Sequence, residues 1–337
     1  MKKIKIAQIG VGHDHARFSM ETLKKKQDIF DLVGYVEFDG EAEMKATAKG
    51  AYDGVTKFSL EKILAMSDLQ AVVIETEDRF LTKYARIFAE RGLAVHMDKP
   101  GGQNREEFDS LVNYMQSKHL VFHMGYMYRY NPAIRALTEM IHRGELGDIV
   151  SIDAEMSCLH SSSKRAWLKD YHGGMTNFLG CHLIDLVLRL QGVPLEIIPL
   201  NFSSGINGIE SEDGGMVAFK YINGISIVKS FAFESGGFAR RQIIVRGSKA
   251  TAEINPTEYY IGETHGMMCT DMRITKNEDG KDWNYRPRAV VFGPFDRYEE
   301  MFEEFAKIIN GEMENPYSYE YEKQLHRVLL TACGKKE

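Results

Sequence analysis

The stretch from Ile4 to Ala16 constrains the fold of this chain more than any other. Ile4, Ile6, Ala7 and Ile9 make a short apolar run that suits a strand covered on both faces, as in a parallel sheet. Gly10 and Gly12 then turn the chain, and Ala16 to Lys26 reads as a helix. Strand, Gly-x-Gly, helix is the opening of a dinucleotide-binding unit. The first glycine permits the tight turn, the second lets the backbone approach a pyrophosphate, and the free N–H groups at the helix start face the anion. Gly10, Val11, Gly12 and His13 are therefore the candidate phosphate contacts. His15 stands where a third small residue is usual, so taken alone the turn reads as evenly as a plain turn.

A second apolar run, Leu32-Val33-Gly34-Tyr35-Val36, ends in Glu37, which lies 25 residues beyond Gly12. That is near the roughly 20-residue offset of the acid that binds the adenosine ribose hydroxyls. Asp39 is close by, and no Lys or Arg follows until Lys45. A 2′-phosphate is expected to meet negative charge there, which favours NAD over NADP.

The chain has 337 residues, a net charge of -6 and no basic block, which argues against a nucleic-acid or anionic-membrane surface. No apolar stretch reaches the length of a membrane span. Lys5, Gln8 and Gly10 interrupt the stretch after Met1-Lys2-Lys3, so no secretory h-region is expected. Cys158, Cys181, Cys269 and Cys333 are too dispersed for a metal pattern or a disulfide framework, and a reducing cytoplasm fits best. No His, Cys, Asp or Glu group has zinc spacing, so no metal is expected.

Strands over 70–75, 93–97 and 120–124 alternate with helices over 41–50, 80–91 and 105–118, and Ser59 reads as the cap of a short helix through Met66. That alternation predicts a doubly wound parallel sheet. Beyond about residue 125 the rhythm changes. Asn131-Pro132 opens a helix through Ile141, Ile149 to Met156 alternates as an antiparallel strand, and Gly174 to Leu190 is a helix ended by Gly192. Hairpins are expected at Asn223-Gly224 and around Gly247-Ser248-Lys249. Helices over 298–309 and 319–331 close the chain, and 263–296 reads as long loops.

Four motifs in order resemble the Gfo/Idh/MocA family, the glucose-fructose oxidoreductase and inositol dehydrogenase group, over nearly the whole chain. They are Gly10-Val11-Gly12; Asp98-Lys99-Pro100, where the family has Glu-Lys-Pro; Arg129-Tyr130-Asn131-Pro132; and Gly173-Gly174 followed by Gly180-Cys181-His182-Leu183-Ile184-Asp185. The resemblance implies an α/β fold with a Rossmann doubly wound parallel sheet over 1–124 that binds NAD(P), and a C-terminal α+β domain with a mostly antiparallel sheet over 125–337 for substrate binding and oligomerisation. It implies hydride transfer between a sugar, polyol or related hydroxy compound and the nicotinamide, with Lys99 between cofactor and substrate and Asp98 beside it. A lysine at the C-terminal end of a parallel strand faces the crevice where α/β ligands bind. Burial or the nicotinamide cation depresses its pKa toward proton transfer.

Phe178, His182, Asp185 and Arg189 fall at i, i+4, i+7 and i+11. His182 is the expected acid/base, because imidazole changes charge near neutral pH, with Asp185 orienting it. The plainer reading is a buried histidine and an Asp185–Arg189 pair. Many relatives carry an acid four residues before the histidine; here Phe178 stands there, with Asn177 beside it. Phenylalanine relays no proton. The chemistry then runs on Lys99 and His182 alone, draws on Asp170, Tyr171 or His172, or has been lost. Arg129 reads equally as a binder of substrate oxygens and as an ion-pair partner, and Trp167 as a sugar-stacking or a core residue. Two other functions stay open: a catalytically silent NAD-binding regulator, and an NAD-assisted lyase or glycosidase. The apolar residues Met216, Ala218, Ile225, Ile227, Phe231 and Phe233 predict a homodimer or homotetramer through the C-terminal sheet.

Overall fold

The computed structural model describes residues 3–48, 50–261, 267–277 and 286–335. Met1, Lys2, Lys49 and, within the expected 263–296 loops, residues 263–266 and 278–285 lie outside the described residues. The chain divides into two compact units, Met1–Met127 with Tyr298–His326, and Tyr128–Arg297 with Arg327–Glu337. The segment Tyr298–His326 thus packs with the first unit.

The first unit is built on six strands, β1 (Ile4–Ile9), β2 (Phe30–Val36), β3 (Lys57–Phe58), β4 (Ala71–Ile74), β5 (Ala94–Met97) and β6 (Phe122–Met124), ordered β3-β2-β1-β4-β5-β6. All five pairings are parallel. The strand order reverses beside β1, the topological switch point at which α/β sheets bind ligands. Ile6, Ile9, Val72, Val73 and Val95 are fully buried, as a sheet covered on both faces requires. The covering helices are α1 (Ala16–Lys25), α2 (Ala42–Ala46), α3 (Leu60–Leu64), α4 (Leu81–Glu90) and α5 (Arg105–Ser117). Ser59 caps α3 by accepting from the Lys62 N–H, and Asn104 caps α5 in the same way from Glu107. The helix expected over 41–50 is only five residues long; turns follow at Thr47 and Ala48, and Gly50 has a φ of 82°.

The second unit opens with α6 (Pro132–His142), with Pro132 in the first turn and the Asn131 carboxamide accepting from Ala133 and Ile134. It carries an eight-stranded sheet. Its strands are β7 (Ile149–Glu155), β8 (Glu196–Phe202), β9 (Gly214–Tyr221), β10 (Gly224–Phe231), β11 (Gln242–Gly247), β12 (Ala250–Ile254), β15 (Asp271–Lys276) and β16 (Arg288–Val291), ordered β16-β15-β12-β11-β7-β10-β9-β8. Every pairing is antiparallel except β7 with β10. A small sheet of β13 (Tyr259–Tyr260), β14 (Met267–Cys269) and β17 (Phe295–Asp296) lies outside it. The stretch expected as loops thus holds four short strands, whose pairing energy comes from distant partners rather than from local periodicity. β8 also escapes the sequence pattern, because Pro199 interrupts it; as an edge strand β8 tolerates the missing N–H.

Two helices flank the central segment, α7 (Ser162–Trp167) and α8 (Cys181–Gln191), and α9 (Glu299–Ile309) and α10 (Tyr319–Ala332) end the chain. The helix expected from Gly174 is not uniform. Residues Thr176–Gly180 form a π-turn that leads into α8. The extra residue breaks the i, i+4 relation between Phe178 and His182 that the sequence spacing suggests. Among the described residues no helix is long and apolar enough to cross a membrane. The four cysteines form no disulfide.

Candidate functional site

At the C-terminal ends of β1, β4 and β5 the first unit gathers Gly10 to His15, Glu75 to Asp78, and Asp98 with Lys99. Gly10 has a φ of 90°, and a Cβ there would lie 2.5 Å from Thr76. A Cβ on Gly12 would lie 2.9 Å from the Glu77 nitrogen and 2.7 Å from a Glu41 carboxylate oxygen. These glycines therefore bring three chain segments within backbone contact. The N–H groups of the turn are already aimed at an anion. The Val11 and Phe38 N–H groups each donate to Glu41 Oε2 at 3.0 Å. The Gly12 and Glu77 N–H groups bond the same carboxylate. Burial pushes the Glu41 carboxyl up, against the pull of those four N–H donors. Glu41 stands in for the phosphate that such a nest takes.

Glu37 follows β2 as expected, but it is not a bare acid. Lys45 Nζ lies 2.7 Å and Lys57 Nζ 3.1 Å from its two oxygens. The hydrogen bond from Lys45, reinforced by Lys57, holds the carboxyl below its usual range against its partial burial. A 2′-phosphate here meets two ammonium groups as well as a carboxylate. Lys57 arrives on β3 from another part of the chain, so local spacing around Glu37 does not reveal it.

Lys99 follows β5 and is fully buried, so it is not a solvated turn residue. Its carbonyl lies 3.1 Å from His13 Nε2, and its N–H donates to Asp98 at 2.7 Å. His13 is also buried, not a surface residue at a helix start. Burial holds its imidazole down to about 3, so it is neutral at physiological pH. His15 Nδ1 lies 3.0 Å and His13 Nδ1 3.3 Å from Asp98 Oδ2. Burial opposes ionisation of Asp98, yet the His13 and His15 rings and the Lys99 ammonium hold its carboxyl well below the usual range. Glu75, wholly buried, is pushed the other way by burial and by the Asp98 carboxylate. Two carboxyls in one buried pocket thus carry opposite shifts, each set by its neighbours.

In the second unit the predicted residues fall into two groups. Arg129 grips Asp185 with Nε at 3.0 Å and Nη2 at 2.8 Å, and both are buried. The pair is neither at the surface nor the Asp185–Arg189 pair that spacing suggests. Replacing Asp185 with alanine is expected to cost about 3–5 kcal/mol of stability, because it strands a buried guanidinium; urea unfolding of the two proteins measures it. His182 is buried with the Tyr128 ring edge-on at 5.1 Å. The Asn177 carboxamide is fully buried and has no nitrogen or oxygen partner among the described residues. Its polar neighbour is the Cys333 thiol. Phe178 packs with Leu168, Met175 and Ala232. Trp167 meets Phe178 edge-on at 5.6 Å and Tyr171 at 4.6 Å, with Lys164 Nζ 3.6 Å from its ring centre.

Known families match both units. The description "Oxidoreductase family, NAD-binding Rossmann fold" matches residues 4–126, and "GFO/IDH/MocA C-terminal domain" matches residues 134–253. The chain belongs to the Gfo/Idh/MocA oxidoreductase family. An uncharacterised oxidoreductase of Schizosaccharomyces pombe is 26% identical over 284 residues, covering 80% of this chain and 76% of its own. A D-xylose 1-dehydrogenase (NADP(+)) of Haloferax volcanii is 24% identical over 267 residues, covering 74% and 73%. The structure of a levoglucosan dehydrogenase in complex with NADH and levoglucosan superposes with a TM-score of 0.78 at 17% identity, covering 99% of this chain and 98% of that one. That last likeness is one of fold.

As a family member the chain is an NAD(P)-dependent oxidoreductase. The sequence pattern points to the glycine turn, and with the family resemblance to Lys99 and His182, but not to Glu41, Glu75 or Lys57. Glu75 and Glu77 around the end of β4 were the available signal: carboxylates at a parallel strand's C-terminal end face the ligand crevice.

Proposed function

We propose that this protein is an NAD-preferring dehydrogenase that oxidises a hydroxyl carbon of a sugar or polyol. The observation that carries the reading is the glycine turn, whose Val11 and Gly12 N–H groups converge on an anion at the switch point, with buried Lys99 on the same sheet edge. The Gly10–His13 turn and the Glu77 N–H would hold the pyrophosphate once Glu41 withdraws, and Glu37 would hold the adenosine ribose. When bound, the nicotinamide supplies hydride acceptance. Lys99 hydrogen-bonds the developing alkoxide, and Asp98 fixes the strand end that carries it. In the second unit Trp167, Tyr171, Asn177 and His182 are the candidate substrate residues, and the sugar dehydrogenase relatives support that substrate class. A panel of sugars and polyols, offered with NAD and with NADP and read at the NADH absorbance, tests the assignment. Tight cofactor binding with no turnover on any of them would mark a silent regulator instead.

NAD is expected to bind more tightly than NADP, but modestly, because Lys45 and Lys57 offset Glu37. Exposed charge pairs near a protein surface contribute on the order of 1 kcal/mol each. Lys45→Gln with Lys57→Gln is therefore expected to widen the preference for NAD by about tenfold, measured by calorimetric titration of both cofactors. Equal NADP affinity in that double variant contradicts the role given to Glu37.

We also propose a homo-oligomer through the open face of the eight-stranded sheet. Ile198, Leu200, Phe202 and Ile225 are exposed there, and Phe202, Phe231 and Phe233 cluster at 5.7 to 6.3 Å. An apolar patch of this kind is covered in a stable protein. Light scattering is expected to give a dimer or tetramer, and Leu200→Glu a smaller species; a monomeric parent protein contradicts the proposal.

A further inference from the structure

The structure assigns a binding site for a divalent first-row transition cation to His13, His15, Asp98 and Glu75. Nothing in the dehydrogenase reading requires it. The candidate donor atoms are His13 Nδ1, His15 Nδ1, Asp98 Oδ2 and Glu75 Oε2. The three measured gaps between them are 3.0 Å from His15 to Asp98, 3.3 Å from His13 to Asp98, and 3.5 Å from His13 to Glu75. Bonds of about 2.0–2.2 Å in a tetrahedral zinc-type site put neighbouring donor atoms about 3.3–3.6 Å apart. These three gaps approach those of a coordination shell, and the remaining ones close by side-chain adjustment around the ion. His13, His15 and Asp98 offer ligand atoms within 4.8 Å of one another.

Three further observations point to a cation rather than to an ordinary polar network. The first is the tautomer of His13. Its Nε2 lies 3.1 Å from the Lys99 carbonyl and 3.3 Å from Asp78 Oδ1, both acceptors, so the proton sits on Nε2. Its Nδ1 accepts from the His15 N–H at 3.1 Å and lies 3.3 Å from Asp98 Oδ2 and 3.5 Å from Glu75 Oε2, so a cation taken there replaces that N–H on the single lone pair. Metal-bound imidazoles hold their other nitrogen in this way, against a carbonyl or carboxylate. The second is Glu75. One oxygen is bonded by Ser19 at 2.5 Å; the other, wholly buried, faces His13 and Asp98, and the hydrogen bond between the Glu75 and Asp98 carboxyls holds a proton that a cation would replace. The third is access. His13, Asp98 and Glu75 are buried, while the His15 side chain remains 12% exposed, which leaves a route for an ion. Two imidazoles with two carboxylates select Zn2+, Fe2+ or Co2+ over Mg2+ and Ca2+, which take oxygen ligands.

The test is made on the full chain after chelation, by titration with Zn2+ in a calorimeter and with Co2+ in the visible spectrum. One equivalent of Zn2+ is expected to bind, and Co2+ is expected to show the strong visible bands of a four-coordinate site. Loss of an outer-shell partner typically weakens metal binding about 10–100-fold, so loss of the His15 ligand is expected to cost at least about a hundredfold. His15→Asn should show that loss while the exposed His142→Asn retains parental affinity. Glu75→Gln is the second variant, isosteric and so tolerated by the buried pocket, and it is expected to shift the Co2+ spectrum. The proposal is overturned if the parent binds no stoichiometric Zn2+, or if neither His15→Asn nor Glu75→Gln alters binding. NADH affinity, followed by fluorescence on the chelated protein, reports on the dehydrogenase reading separately, since His13 and Asp98 serve both sites.

Discussion

Lys99→Met is expected to lower the rate of hydride transfer by about a hundred- to ten-thousandfold, the usual contribution of a proton-transfer group, and to spare NAD affinity. Methionine keeps most of the stem's bulk, so the fully buried site is not emptied. The ammonium is felt by His13, Glu75 and Asp98, so the substitution also removes the positive charge that those buried groups share. A single-turnover measurement separates the two effects: a lost proton path slows the chemical step, whereas a collapsed site raises the cofactor dissociation constant. His182→Asn is a distinct test in the second unit, with the same expected direction on rate. A turnover substrate for which both variants keep full rate would send the search to His13, Arg129 and Tyr171.

Glu41→Ala is expected to tighten dinucleotide binding by about ten- to hundredfold. The Glu41 carboxylate takes the N–H groups of Val11, Gly12, Phe38 and Glu77 that a pyrophosphate needs. The cofactor must displace it, and hydrogen bonds to a charged group contribute about 1.5–3 kcal/mol. Removing the competitor returns that free energy to binding, at about 1.4 kcal/mol per tenfold. Fluorescence titration with NADH measures the change, and thermal unfolding is expected to show a lower Tm for the variant without cofactor. Weaker binding in Glu41→Ala would mean that the carboxylate shapes the turn for the cofactor instead of competing with it.

Much of the first unit was legible in the chain itself. The apolar runs ending at Ile9, Ile74 and Met97 are strands because a parallel sheet buries both faces, and a run of β-branched residues states that locally. Gly10 and Gly12 announce a turn that side chains would obstruct. Ser59 and Asn131 announce helix starts, because capping is a contact between neighbours. Lys99 is singled out by the resemblance to the family, and His182 by its place on a helical stripe and by the chemistry of imidazole. What the sequence could not state was every relation made across the chain. Lys57 reaches Glu37 from the next strand, Arg129 takes Asp185 from 56 residues away, and the π-turn before α8 moves Phe178 out of step with His182. His13, His15, Glu75 and Asp98 show no metal spacing in order, yet three parallel strands deliver them to one edge of the sheet. Periodicity and capping are local, so they are written in neighbouring residues; charge pairing, pKa and coordination depend on distance in space, which only the tertiary structure sets.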